Sequence, residues 1–74
     1  MSLQDYVIRL QSGLWEIRLG GQLLGGQPTQ MSALHVADAL AHGAALLGKR
    51  SRILVGDIDG EPIEFPVIGP PGQA

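Results

Sequence analysis

The residues best suited to chemistry are His35, Asp38 and His42, which fall within one predicted helix. Spacings of three and four residues bring Asp38 within reach of either imidazole ring. The two histidines, however, lie about 10.5 Å apart along a helix axis, so one Zn²⁺ ion with bonds near 2 Å cannot bind both. One histidine with Asp38 can supply half of a metal site completed by a second chain, or an oriented general base. We expect neither, but a polar stripe that is either solvated or part of an interface with Met31 and Leu46.

A second cluster consists of Lys49, Arg50 and Arg52, three of the five basic residues in the chain. These cations can contact phosphates, so a nucleic-acid-binding module is the alternative to a protein interaction module. The net charge is −2, and the three aromatic residues are expected in the core instead of on a stacking surface. Basic residues also stabilise a helix C-terminus. We therefore expect that nucleic acid is not the partner.

Two shorter patterns are explained by composition and by turns. Asp57 to Gly60 is similar to the start of a calcium-binding loop, but its glycine is fourth where that loop requires the sixth position. The tripeptide Gly-Gly-Gln of peptide-release factors occurs at 20–22 and 25–27, in a chain with eleven glycines and without a strongly basic surface. The sequence therefore predicts no cofactor and no enzymatic activity.

Length and composition limit how the elements can hold these residues. The chain has 74 residues, of which 45% are hydrophobic and 4% aromatic, and this fits one small domain with a small core. The absence of cysteine excludes disulfides and thiolate metal sites, and it favours a reducing compartment. We recognise neither a membrane span nor a signal peptide and expect a cytoplasmic location. So small a core predicts a homo-oligomer, most simply a dimer.

Alternating apolar residues on both sides of Ser12-Gly13 predict a β-hairpin. A two-residue turn fixes the strand register, because a slip by one residue would turn the whole apolar set to water. The glycine-rich stretch Gly20–Pro28 then predicts a loop, with at most a short strand at Leu23-Leu24. The predicted hairpin pairs are Tyr6 with Leu19, Ile8 with Ile17, Leu10 with Trp15, and Arg9 with Glu16.

Residues 30–47 are predicted to form one helix, with Thr29 as the N-cap and Gly48 at the C-terminus. A broad apolar face covers the sheet, and the polar side is so narrow that it predicts a second contact. The outer flank carries the histidines and Asp38 among Met31, Ala45 and Leu46. The covered face comprises Ala33, Val36, Ala37, Leu40, Ala41, Ala44 and Leu47.

Residues 52–58 and 62–68 predict a second hairpin around the turn Asp59-Gly60. Pro62 and Pro66 place its last strand at an edge or beside a bulge. The order strand, strand, helix, strand, strand predicts an α+β fold, ββαββ, with one helix packed on a mainly antiparallel sheet. Residues 4–68 form the predicted domain, and residues 69–74 form a flexible tail of glycine and proline.

Two surfaces compete for the expected dimer interface. The helix flank with Met31, Ala45 and Leu46 can meet the same flank of a second chain. Alternatively, an exposed strand edge can pair across chains. Because Pro62 and Pro66 weaken the last strand, an edge of the first hairpin is the better choice among the strands.

Three features occur together along the chain: a strand pair with Trp15 just past its turn, Thr29-Gln30 opening an alanine-rich helix, and Ile53-Leu54-Val55-Gly56 leading to Asp59-Gly60. In this combination the chain resembles the small bacterial proteins grouped as domain of unknown function 2188. The resemblance covers roughly residues 6 to 64. It implies a fold and no activity, and it provides no catalytic residues to carry over.

Overall fold

The structure is a computed structural model that describes residues 3–56 and 62–70. Within these residues one helix packs on a five-stranded sheet. The expected α+β fold, with a helix on a mainly antiparallel sheet, is confirmed. The elements in chain order are β1 (Leu3–Gln11), β2 (Leu14–Leu19), β3 (Gln22–Gln27), α1 (Gln30–Leu46), β4 (Arg50–Gly56) and β5 (Ile63–Glu64).

The first hairpin has the predicted register, and all four predicted pairs between β1 and β2 are present. Its turn residues Ser12 and Gly13 have φ values of 52° and 84°. Positive φ at both positions is typical of the two-residue turn whose twist matches that of the flanking strands. The face that α1 covers consequently carries the alternating apolar residues of both strands, namely Tyr6, Ile8, Trp15, Ile17 and Leu19.

The interpretation of Gly20–Pro28 as a loop is wrong, because residues 22–27 of this stretch form a third strand. Gly20 and Gly21 have φ values of 57° and 86° and make a second two-residue turn of the same kind. β1, β2 and β3 therefore form a three-stranded antiparallel meander. The order of elements is ββ-β-α-ββ, one strand more than predicted.

β3 carries a bulge in its middle. Ile17 of β2 lies opposite Gly25, and the next residue, Arg18, lies opposite Leu23, so that Leu24 is the extra residue. A strand interior tolerates glycines at a bulge and at a sheet edge, where they weaken the pairing least. This local geometry explains how a stretch with four glycines becomes a strand.

The sheet has the order β3-β2-β1-β4-β5. β1 is central and pairs in parallel with β4, while the other described pairs are antiparallel. The first hairpin therefore has a neighbouring strand on each side. The expectation that one of its edges is free for pairing is wrong, because the outer strands of the described sheet are β3 and β5.

The second strand pair is short and irregular, as the prolines predict. β5 has two residues and lies at the edge of the described sheet. An isolated bridge to β4 follows it, and this bridge is shifted by one residue from the register of the β4–β5 pair. The pairs are Leu54 with Glu64, Val55 with Ile63, and the isolated bridge Ser51 with Ile68. The predicted Asp59-Gly60 turn, the calcium-like stretch from Asp57 and residues 71–74 of the predicted tail lie outside the described residues.

α1 begins and ends within one residue of the prediction. The Thr29 hydroxyl oxygen accepts a hydrogen bond from the backbone N–H of Ser32 at 3.1 Å. Gly48 follows the last turn with φ of 84°. The backbone N–H of Lys49 then donates to the carbonyl of Ala44 at 3.0 Å, which is the six-residue closure typical of a glycine-terminated helix.

The helix packs on the sheet through alanines, five of which are buried. Leu40 and Leu47, which we expected on the covered face, are 40% and 77% exposed. Ala45, which we expected on the outer flank, is buried. The five alanines fill the space directly between helix and sheet. Leu34 and Val36 are partly buried beside them, and Leu40 and Leu47 extend into solvent. The buried face is consequently narrower than predicted and includes Ala45.

Candidate functional site

An open groove of about 420 Å³ lies between α1 and the segment after β5, and we call it the helix groove. It exists because α1 packs against β1 to β4 and makes no close contact with the described β5. β4 contributes Ile53 to its lining. The helix lines it with Met31, Leu34, His35, Asp38 and His42, and the opposite wall consists of Phe65, Pro66, Val67 and Ile68.

The helix groove collects four of the five residues that the sequence predicts for an interface. Met31, His35, Asp38 and His42 all line it. Leu46 does not line it; it lies one helical turn further along, with 79% of its surface exposed. The predicted residues thus share one flank of the helix, but only the first four belong to a concave surface.

The polar residues of the groove include one loose pair, Asp38 and His42. His42 Nε2 lies 3.4 Å from Asp38 Oδ1, and both side chains are exposed. An exposed pair four residues apart on a helix contributes little to stability. The described residues of the groove lining include no hydroxyl, thiol or amine that a histidine base could activate. Among the described residues no group of three potential ligands could hold a metal ion.

The basic cluster is divided by the fold. Arg52 lies on the sheet face opposite α1, which we call the open face. Its Nε and Nη2 donate to the Asp5 carboxylate at 2.9 and 3.0 Å, and its Nη1 donates to Glu64 at 2.7 Å. These hydrogen bonds raise the pKa of Arg52 above its ordinary value, and the bonds to Asp5 have the largest effect. Lys49 and Arg50 are exposed. Arg52, the third cation of the cluster, is paired with two carboxylates and therefore does not add to their charge.

The sequence interpretation missed a second apolar surface, the outer edge of β3. Leu23 and Leu24 are exposed there, and the strand contains no charged residue. Leu14 lies beside this edge on the open face and covers Gly26, where an added Cβ would lie 3.4 Å from Leu14 Cδ1. A signal for this strand was present in the sequence: Gly-Gly at 20–21 is typical of a two-residue hairpin turn, and such a turn after β2 predicts a further strand.

Comparison with known proteins assigns no family. A scan against protein-family models, a search of curated proteins and a search of solved structures each found no match. The resemblance to domain of unknown function 2188 therefore stays a prediction. Across the described parts of the chain, α1 included, no helix has the length and hydropathy to cross a bilayer.

Proposed function

We propose that the chain is a small, non-enzymatic cytoplasmic module that associates with a second copy of itself. The observation that supports this best is the distribution of large apolar side chains. Among the described residues eleven are exposed and only five are buried, namely Tyr6, Ile8, Ile17, Ile53 and Val55. So small a core leaves a monomer marginally stable. Burial of part of the exposed set on association supplies further stabilisation.

The composition of α1 supports the same proposal. All of its buried residues are alanines, whereas Met31 and Leu46 are largely exposed. The alanine layer buries few large side chains, so α1 adds little to the core of a single chain, and the missing burial has to come from another surface. Complete burial of one leucine side chain contributes about 1.5 to 3 kcal/mol, so even a few such contacts stabilise a dimer of small domains.

Charge argues for a protein partner over the nucleic-acid alternative. The chain carries a net charge of −2. Arg52, the third member of the basic cluster, is bound to Asp5 and Glu64. Sequence-independent binding to nucleic acid depends on several free cations on one surface. Lys49 and Arg50 alone make a weak electrostatic footprint.

The mass of the wild-type chain in solution tests the proposal. Size-exclusion chromatography with light scattering at about 100 μM detects dimers of micromolar affinity, because most of the protein is then associated. We expect twice the mass of the chain, with the mass falling on serial dilution. The mass of a single chain at the highest concentration would contradict self-association.

A further inference from the structure

We infer that the second copy binds at the outer edge of β3, where the two β3 strands pair antiparallel across a twofold axis. This inference rests on the proposed self-association and names the surface that carries it. Such pairing joins two five-stranded sheets into one continuous sheet. Because the axis is perpendicular to the sheet, both helices lie on the same face.

The two outer edges of the described sheet differ in how they are protected. β5 has two residues and lies between Pro62 and Pro66, and proline cannot donate to a strand ladder. β3 has six residues, with no proline and no charged residue among them. Charges, prolines and short length are the usual devices that keep an edge from pairing. The edge of β3 uses none of these three.

The sequence of β3, Gln-Leu-Leu-Gly-Gly-Gln, is complementary to itself when reversed. When Gln22 lies opposite Gln27 of the second copy, each leucine of the strand lies opposite a glycine. A leucine then covers the backbone that the glycine leaves bare, and the two glutamine amides at each end can hydrogen-bond to each other. No like charges meet in this register.

The bulge makes this register compatible with twofold symmetry. Residues opposite each other in an antiparallel pair must lie on the same face of the sheet. In a regular strand Gln22 and Gln27 would lie on opposite faces, because they are an odd number of positions apart. The extra residue Leu24 shifts the alternation, so that both glutamines lie on the helix side. Leu23 and Gly26 correspondingly both lie on the open face, and hydrogen-bonded pairs form on either side of the bulge.

Leu14 completes an apolar contact on the open face. Its side chain covers Gly26 within the same chain. Leu23 of the second copy lies opposite Gly26 in the inferred register and therefore meets Leu14. These two leucines are 48% and 49% exposed in the single chain. The twofold axis repeats the contact, so the pairing buries four leucines that the single chain leaves half in water.

Glutamate substitutions at two exposed leucines test the surface. Leu23→Glu places a carboxylate opposite Arg18 within the chain, which the fold can accept. In the dimer, the same carboxylate meets Leu14 of the second copy. Leu46→Glu is the matched control, because it adds the same charge at a more exposed leucine on α1. By sedimentation equilibrium we expect Leu23→Glu to weaken the dimer at least roughly tenfold, or 1.4 kcal/mol, and Leu46→Glu to leave it unchanged.

Single cysteines test the register, because the chain contains no cysteine of its own. Gln22→Cys and Gln27→Cys variants, mixed and mildly oxidised, should form a disulfide between the two different chains. Gln22→Cys alone should not, because two copies of residue 22 would be roughly 14 to 17 Å apart at 3.4 Å per residue, beyond the reach of a disulfide. Circular dichroism of every variant checks that the fold is retained.

The outcomes separate the inference from the proposed function. A wild-type chain that is monomeric at all concentrations contradicts both. A wild-type dimer that Leu46→Glu dissociates, while Leu23→Glu does not, retains the function and overturns the β3 interface. Cross-linking of Gln22→Cys with itself, at a rate equal to that of the mixture, likewise overturns the register.

Discussion

Arg52 shows how a cluster of cations in a sequence is divided in space. Arg50 and Arg52 share one face of the sheet because they are two positions apart in β4, and that face is the open face. The parallel register then places Asp5 directly opposite Arg52, and Glu64 approaches from β5. Asp5 is 47 residues distant in the sequence, and no local pattern indicates that β1 and β4 are neighbours. The basic cluster could thus be predicted, but its neutralisation could not.

This neutralisation leads to a prediction on nucleic-acid binding. We expect no binding of single- or double-stranded nucleic acid by fluorescence anisotropy at about 150 mM salt. Within the basic cluster only Lys49 and Arg50 lie outside the described ion pairs, and two cations release too few counterions. The variant with Lys49, Arg50 and Arg52 all replaced by glutamine should give the same flat titration. Micromolar binding that weakens steeply with salt and disappears in this variant would reverse the order of the two candidate functions.

The elements with local determinants were predicted best. The first hairpin is fixed by a two-residue turn and by alternation, and α1 by Thr29 and Gly48 at its two ends. β3 was missed because its glycines weaken the strand pattern and because Gly20-Gly21 was not interpreted as a hairpin turn. Its pairing with β2 and the bulge at Leu24 explain how the strand accommodates its glycines. Of the expected interface residues, four were found to line one groove, but the groove itself depends on the segment after β5, whose placement no local pattern gives.

Replacing either of two glycines by alanine tests where α1 ends: Gly43 lies within the helix, and Gly48 follows its last turn. Gly48 has φ of 84°, so Gly48→Ala should lower the free energy of unfolding by about 1 to 2 kcal/mol through backbone strain. Gly43 lies within the helix with open space around its Cβ position, so Gly43→Ala should raise the same quantity by roughly 0.5 to 1 kcal/mol. Urea denaturation followed by circular dichroism measures both. Equal effects of the two substitutions would show that the helix does not end at Gly48.

At the scale of the whole molecule, the proposed association would offset a small core. Tyr6 and four aliphatic side chains are the large residues that the described sheet buries beneath the alanines of α1. The inferred dimer adds the contacts of Leu14 and Leu23 on the open face and leaves the helix groove accessible on the far side of each copy. The proposal therefore couples stability to assembly and predicts that a dilute chain is less stable than a concentrated one.

Denaturation at two protein concentrations tests self-association most directly. Trp15 is the only tryptophan and packs against the core, so its fluorescence follows unfolding. Between 1 and 100 μM, we expect the urea midpoint to rise, with a gain in apparent free energy of unfolding of up to about 2.7 kcal/mol for a hundredfold change in concentration. Leu23→Glu should show a smaller rise than Leu46→Glu. Identical wild-type midpoints at both concentrations would contradict the proposal that association stabilises the fold.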